Sequence, residues 1–240
     1  MQEKRTIILH YHLFKNAGTS IDSILKENFG EQWVTKEFQG LKDNTPEVSQ
    51  WILDNPTAIA FSSHTMNGPV PRIDGIKVIS LAMLRDPIKR IISAYKFERM
   101  QNSETWGAQL ARELSFEDYV VTRLQKDGDT QCRNFQTERL STLRPGDEPK
   151  VQRAINALED LSVVGTVEDF NQSLSNIAKA IKECFPNYEY QVAHSNKSKL
   201  FDFELSPALD QLLKECNKAD HRLWMTAQRM SKTMINSRTS

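Results

Sequence analysis

Hydrophobic residues in this chain fall into two patterns, short near-continuous runs and longer stretches at helical spacing. Thr6 to Phe14, rich in β-branched and aromatic residues, predicts a buried strand, and Thr57 to Ser62 a second, shorter one. Ile76 to Leu84 is almost unbroken in apolar residues, as expected of a strand covered on both faces. Leu161 to Gly165 predicts another. Between the runs, Ile21, Ile24, Leu25 and Phe29 recur at helical spacing, and Asn44 to Asn55 predicts a short helix with Pro56 beyond its end. Asp86-Pro87 predicts a helix start, with Asp as N-cap, Pro at the first helical position, and Ile88, Ile91, Ile92 and Tyr95 as the apolar face. Residues 107–160 read as mostly helical and Val167 to Cys184 as one helix. A last helix, about 206–231, starts at Ser206-Pro207 with Leu209, Leu212, Leu213, Cys216 and Leu223 on one face.

Strands alternating with helices predict an α/β fold, a central parallel β-sheet flanked by helices. The expected organisation is a single domain over 1–240 with a mostly helical middle at about 98–160. Ligands of such sheets sit at the carboxyl ends of strands, where the chain turns into a helix. The turns at Lys15 and at Arg85 occupy that kind of place.

Composition narrows the function classes. The 240 residues are 39% hydrophobic and 26% charged, ordinary for a globular protein. With 31 basic and 31 acidic residues there is no global field to attract nucleic acid or a membrane, so any anion site must be local. Cys132, Cys184 and Cys216 are sparse and odd in number, which predicts reduced thiols in a cytoplasm, and the five histidines do not join them at zinc-ligand spacing. Lys4 and Arg5 before Thr6-Ile7-Ile8-Leu9 loosely mimic a signal peptide, but His10, His12 and Lys15 interrupt the apolar run. No stretch is long and apolar enough for a transmembrane helix.

Two turns carry candidate chemistry. In Phe14-Lys15-Asn16-Ala17-Gly18-Thr19-Ser20 a strand leads into a helix N-terminus, where free N–H groups and the helix dipole bind anions. Gly18 permits close approach of backbone to a phosphate, Thr19 and Ser20 add hydroxyls, and Lys15 adds charge. The lysine precedes the glycine and no Gly-Lys-Ser/Thr follows, so this is not a Walker A loop, which argues against a magnesium-dependent nucleoside triphosphatase. In the second turn Arg85 ends a buried strand and Ser93 lies on the next helix, on the side of Arg90 and Phe97. A guanidinium fork plus a hydroxyl suits a phosphate monoester. An ordinary turn with a solvated Lys15, and an Arg85 paired to a carboxylate, are the plainer alternatives.

Both turns resemble motifs of the sulfotransferases that use 3′-phosphoadenosine 5′-phosphosulfate (PAPS), closest to the branch of heparan sulfate 2-O-sulfotransferases and bacterial carbohydrate sulfotransferases. There the first motif reads His-Ile-Pro-Lys-Thr-Gly-Gly-Thr-Ser; here it is His12-Leu13-Phe14-Lys15-Asn16-Ala17-Gly18-Thr19-Ser20, departing at Phe14 and Ala17. The second, Arg-Asp-Pro-x-x-Arg-x-x-Ser-x-Tyr, is matched throughout by Arg85-Asp86-Pro87, Arg90, Ser93 and Tyr95. Val164-Gly165-Thr166-Val167-Glu168-Asp169-Phe170, Asn134-Phe135-Gln136-Thr137, Asn196-Lys197-Ser198 and Asn217-Lys218-Ala219-Asp220 resemble further segments, so the likeness runs from about residue 7 to 228.

The resemblance implies a P-loop-like nucleotide-binding sulfotransferase fold, with PAPS as co-substrate and 3′-phosphoadenosine 5′-phosphate as product. It implies that Lys15, Asn16, Ala17, Gly18, Thr19 and Ser20 hold the 5′-phosphosulfate, that Arg85 and Ser93 hold the 3′-phosphate, and that Asn196, Lys197 and Ser198 close over the nucleotide. Sulfuryl transfer needs positioned charge and requires no metal in principle. Lys15 would neutralise the leaving phosphate. His64 would be the general base, because a catalytic histidine of the glycan branch stands at a similar distance before Arg-Asp-Pro. His10 and His12 are expected to pack or to orient the loop, and Glu168 either supports the site or is a solvated residue at a helix start.

The resemblance implies a hydroxyl acceptor, by analogy that of a glycan, otherwise of a lipid or small natural product, selected by about Glu98 to Lys150 and Met66 to Arg72. The family's animal glycan enzymes carry a Golgi anchor; with none here, the expectation is a cytoplasmic bacterial enzyme or an excised domain. Oligomeric state stays open. The competing readings are a P-loop-like kinase or nucleoside triphosphatase, a non-catalytic module binding 3′-phosphoadenosine 5′-phosphate, and a structural or partner-binding protein docking through Lys89, Arg90 and the stretch Trp106 to Arg123, which otherwise form a solvated helix face.

Overall fold

The structure, a computed structural model, describes residues 5–39, 43–191 and 204–236. Asn196, Lys197 and Ser198, and also His194, lie outside the described residues. The core is a five-stranded parallel sheet of β1 (Arg5–Tyr11), β2 (Trp33–Thr35), β3 (Ala60–Ser63), β4 (Ile76–Leu84) and β5 (Val163–Thr166), in the order β2-β3-β1-β4-β5. The helices are α1 (Gly18–Phe29), α2 (Thr45–Asp54), α3 (Pro87–Met100), α4 (Trp106–Glu113), α5 (Phe116–Gln125), α6 (Phe135–Ser141), α7 (Lys150–Asp160), α8 (Phe170–Lys182), α9 (Pro207–Cys216) and α10 (Lys218–Asn236).

Alternation along β1 assigns its two faces. Ile7, Leu9 and Tyr11 pack with Trp51 and Ile52 of α2, Leu158 of α7 and Leu223 of α10. Ile8 packs on the other face with Ile21 and Leu25 of α1 and Ile177 of α8. A separate apolar cluster joins α3, α5 and α9 through Ile91, Tyr95, Phe116, Tyr119, Leu209 and Leu213. The chain leaves β1 toward β2 and β3 on one side, then crosses to β4 and β5 on the other. The carboxyl ends of β1 and β4 therefore flank the switch point of the sheet, where α/β folds bind ligands. The turns at Lys15 and Arg85 follow those two strands directly.

Several boundaries differ from the sequence expectation for physical reasons. β1 ends at Tyr11 because Leu13 and Asn16 already close turns onto the carbonyls of Tyr11 and Leu13. β2 escapes the hydrophobic pattern, being three residues at an edge, tied by the Trp33 indole to Ser62 Oγ at 3.2 Å. α8 begins at Phe170 rather than Val167, because the Val167 N–H still donates to Leu84 at the sheet's end. The expected single C-terminal helix is two. Asn217 interrupts it: its side-chain amide donates to the carbonyls of Cys132 and Leu213 and its Oδ1 accepts the N–H of Asn134.

Arg90 is no part of a solvated or docking face. It is fully buried, reaches the side chain and carbonyl of Gln131, and stacks 4.6 Å from the Phe135 ring. Cys132 is buried as well, and burial pushes its thiol up to about 12, a value at which it is unreactive. No described helix is long and apolar enough to cross a membrane.

Candidate active site

The turn after β1 has the backbone geometry of an anion-binding nest. Lys15 (φ 64°) and Ala17 (φ 60°) both adopt the left-handed conformation, alternating about Asn16. Such alternation turns successive N–H groups toward one side. Among the described residues, the amides of Lys15, Ala17, Gly18 and Thr19 have no hydrogen-bond acceptor, while that of Asn16 is used by Leu13. Thr19 and Ser20 are exposed in the first turn of α1. Ala17 carries strain there of about 1 kcal/mol, the cost of a Cβ in this conformation. Ala17→Gly is expected to stabilise the fold by about 0.5–1 kcal/mol, read as a higher denaturation midpoint.

Gly18 is required for a different reason from the one its sequence context suggests. Its φ is not left-handed, but a Cβ there would lie 2.0 Å from Cδ2 and 2.2 Å from Nε2 of His12. The glycine makes room for an imidazole against the start of α1. Asn16 is likewise a pin and not a free donor. It is fully buried, and its Nδ2 donates to Met83 O at 2.9 Å and Gln136 Oε1 at 2.7 Å.

Arg85 joins the two turns. Its Nη1 donates to Lys15 O at 3.2 Å, and its buried Nε has no partner among the described residues. Gln136 of α6 closes the arrangement: Oε1 accepts the Arg85 N–H at 2.9 Å and Nε2 donates to Arg85 O at 2.8 Å. Behind it, buried Asp220 accepts the N–H groups of Gln136 (3.0 Å) and Thr137 (2.7 Å), capping α6. Glu168 supports the site from the other side, accepting the Asp86 N–H at 3.2 Å and the Trp224 indole at 2.9 Å. Asp86 Oδ1 caps α3 through the Lys89 N–H, as the sequence predicts.

Electrostatics at this junction are unbalanced. Burial lowers the Lys15 ammonium below the usual lysine range, and the neighbouring Arg85 charge lowers it further. Burial also lowers Arg85, partly offset by the charges of Glu168 and Asp86. Neither cation has a carboxylate within ion-pair distance among the described residues. Lys15 Nζ sits 4.2 Å over the Phe97 ring, which packs edge-on to Phe14 at 5.5 Å. Phe14, where the resembled motif has proline, thus helps to hold the lysine. Ser93, half-buried, lies one helical turn before Phe97 on the same face of α3, the face turned to Lys15.

His64 stands just past β3. Its ring lies 3.8 Å from that of His12, the same imidazole that abuts Gly18. Its Nδ1 is 2.7 Å from Glu37 Oε1, and its carbonyl accepts Arg139 Nη2 at 2.6 Å. His12 and His10 each contact Asp22 through Nδ1, at 2.8 Å. Burial raises the Asp22 carboxyl, but these hydrogen bonds outweigh it and hold the group far below the usual carboxylate range.

His10, His12 and Asp22 are also close enough together to ligate a metal. Their hydrogen bonding fits a carboxylate shared by two imidazoles better. Metal on His10 Nδ1 would force the ring proton onto Nε2, which is buried with no acceptor among the described residues, whereas metal-bound histidines normally donate that proton.

The sequence model of the sulfotransferase family matches residues 1–225 of this chain. The chain belongs to the sulfotransferase family. An uncharacterized protein of Archaeoglobus fulgidus is 34% identical, the match covering 92% of this chain and 95% of that one. The fold of a sulfotransferase, a central parallel sheet flanked by helices, is the architecture described above.

Within this sulfotransferase the structure brings Lys15, Ala17, Gly18 and Arg85 to one place, with Ser93 on the adjoining helix face and His64 reached through His12. Asp22 and Glu37 were not singled out from sequence; each acts on imidazoles of another element, and neither carries a local motif. Asp220 lies in a segment that resembles the family's last helix, but its bonds to Gln136 and Thr137 span 84 and 83 residues. Gln136 lies in a segment whose likeness was noted, but its bonds to Asn16 and Arg85 span 120 and 51 residues.

Proposed function

We propose that this sulfotransferase takes its sulfuryl group from PAPS and places it on a hydroxyl, by analogy a carbohydrate hydroxyl. What carries the proposal is the pair of cations, Lys15 and Arg85, set without a carboxylate in ion-pair distance among the described residues, beside a turn of free N–H groups at the sheet's switch point. That site suits a nucleotide with anions at both ends. The 5′-phosphosulfate lies on the turn from Lys15 to Ser20 and the 3′-phosphate on Arg85 and Ser93.

Reaction is an in-line displacement at sulfur. The bond from sulfur to the 5′-phosphate oxygen breaks as one to the acceptor oxygen forms. The acceptor's proton goes to His64 Nε2, and the electron pair leaves with 3′-phosphoadenosine 5′-phosphate. Lys15 and the turn N–H groups neutralise the charge growing on the leaving phosphate. The Met66 to Arg72 loop, pinned by Arg139 to Met66 O and by the Thr142 hydroxyl to the Gly68 N–H, lies next to His64 in the chain and is suited to select the acceptor.

Calorimetric titration without magnesium tests the donor assignment. The protein is expected to bind 3′-phosphoadenosine 5′-phosphate more tightly than AMP or ATP. Arg85→Ala should remove that preference, losing about 1.5–3 kcal/mol, or roughly 10- to 150-fold in affinity, for charge-assisted hydrogen bonds. Equal or tighter binding of ATP would discard the PAPS assignment and favour a kinase-like enzyme.

A further inference from the structure

We infer that Glu37 is the positioning residue of His64, fixing the imidazole with its proton on Nδ1 and its lone pair on Nε2; the functional meaning of this rests on the proposed role of His64 as base. Glu37 lies in the loop after β2, 27 residues from His64, yet its carboxylate grips the whole tip of β3. Oε1 accepts the Nδ1–H at 2.7 Å and the His64 backbone N–H at 3.2 Å. Oε2 accepts the Thr65 hydroxyl at 2.7 Å and, more distantly, that of Ser63 at 3.4 Å.

An isolated carboxylate–imidazole contact at this exposure, 51% for Glu37 and 49% for His64, contributes little to stability. Converging donors change the outcome, because they leave the carboxylate one orientation and therefore the ring one tautomer. The Thr65 hydroxyl is oriented in turn, accepting the Phe38 N–H at 2.5 Å. Burial raises the Glu37 carboxyl, but the hydrogen bonds from His64 and Thr65 outweigh it and hold the group below the usual range, so it is an anion at neutral pH.

The ring's plane is set from the other side. His12 packs on it at 3.8 Å and is itself tied to Asp22. Arg139, whose guanidinium binds the His64 and Met66 carbonyls, completes the charged surroundings. A side chain that only stabilised the loop would have no reason to occupy Nδ1. With Nδ1 occupied, Nε2 is the nitrogen left to take a proton from an acceptor hydroxyl.

Long-range nitrogen–proton NMR of protein carrying ¹⁵N-labelled histidine reads the tautomer directly and needs no substrate. Neutral His64 is expected as the Nδ1–H form in the wild type, as a tautomer mixture in Glu37→Ala, and again as the Nδ1–H form in Glu37→Gln, whose amide oxygen still accepts. An Nε2–H form in the wild type, or an unchanged spectrum in Glu37→Ala, overturns the inference. If Glu37→Ala does not fold, the wild-type tautomer decides alone. PAPS turnover by His64→Ala separates the two levels. Undiminished turnover removes the base role while the tautomer result stands. Lost turnover together with an unchanged tautomer in Glu37→Ala rejects the role of Glu37 alone.

Discussion

Replacing His64 with alanine is expected to lower sulfuryl transfer by roughly 10²–10⁴-fold, the usual contribution of a positioned general base, while 3′-phosphoadenosine 5′-phosphate still binds. The two effects separate because of where the ring sits. The groups proposed to hold the nucleotide, Lys15, the turn amides and Arg85, are braced by Asn16, Gln136 and Phe97, none of which depends on His64. Among the described residues, the His64 ring meets that assembly through the ring of His12, and His12 stays anchored by Asp22 when its neighbour is removed. Turnover of PAPS with an acceptor hydroxyl, beside calorimetry with the product nucleotide, checks both halves. Loss of nucleotide affinity equal to the loss of rate would move His64 from base to binding residue. Unchanged turnover would pass the base role to another group, with His12 the nearest imidazole.

Much of the fold was legible because its signals are local. The near-continuous run of β4 and the Asp86-Pro87 start of α3 stand in the structure where the sequence put them. So do the two strand-to-helix turns, because a buried strand followed by a short polar turn is a pattern of adjacent residues. What stayed hidden shares a cause too. Asn16 and Arg90 belong to recognisable motifs, and a motif says that a residue matters without saying how. Asn16 is spent on Met83 and Gln136, and Arg90 on Gln131 and Phe135, so both serve the architecture behind the site. Glu37 and Asp22 stayed invisible because a lone carboxylate in a loop or on a helix resembles any solvated one. Only the fold brings them to the imidazoles.

The same distinction gives Gln136 its importance. It is fully buried at the start of α6, and besides a long 3.5 Å contact to Asp220 Oδ2 its one amide group holds three groups closely: the Asn16 side chain, the Arg85 N–H and the Arg85 carbonyl. Gln136→Leu keeps nearly the same volume, so little cavity opens, but it strands all three partners away from water. Each buried polar group left without a partner costs about 1–3 kcal/mol, and the sum is expected to reach about 3–5 kcal/mol, lowering Tm by roughly 6–20 °C. Glu138→Gln on the same helix is the control. Its ion pair with Lys150 is partly exposed, so its loss should cost under about 1 kcal/mol. Urea denaturation reads the stability change, and calorimetry on the folded variant reads the site. Because Gln136 holds Arg85 by both backbone groups and Asn16 at the centre of the turn, affinity for 3′-phosphoadenosine 5′-phosphate should fall with stability. A folded Gln136→Leu protein with wild-type affinity would show that the two turns keep their geometry through the Arg85 Nη1 to Lys15 contact alone. In that case the buried amide would be a feature of the core and not of the site.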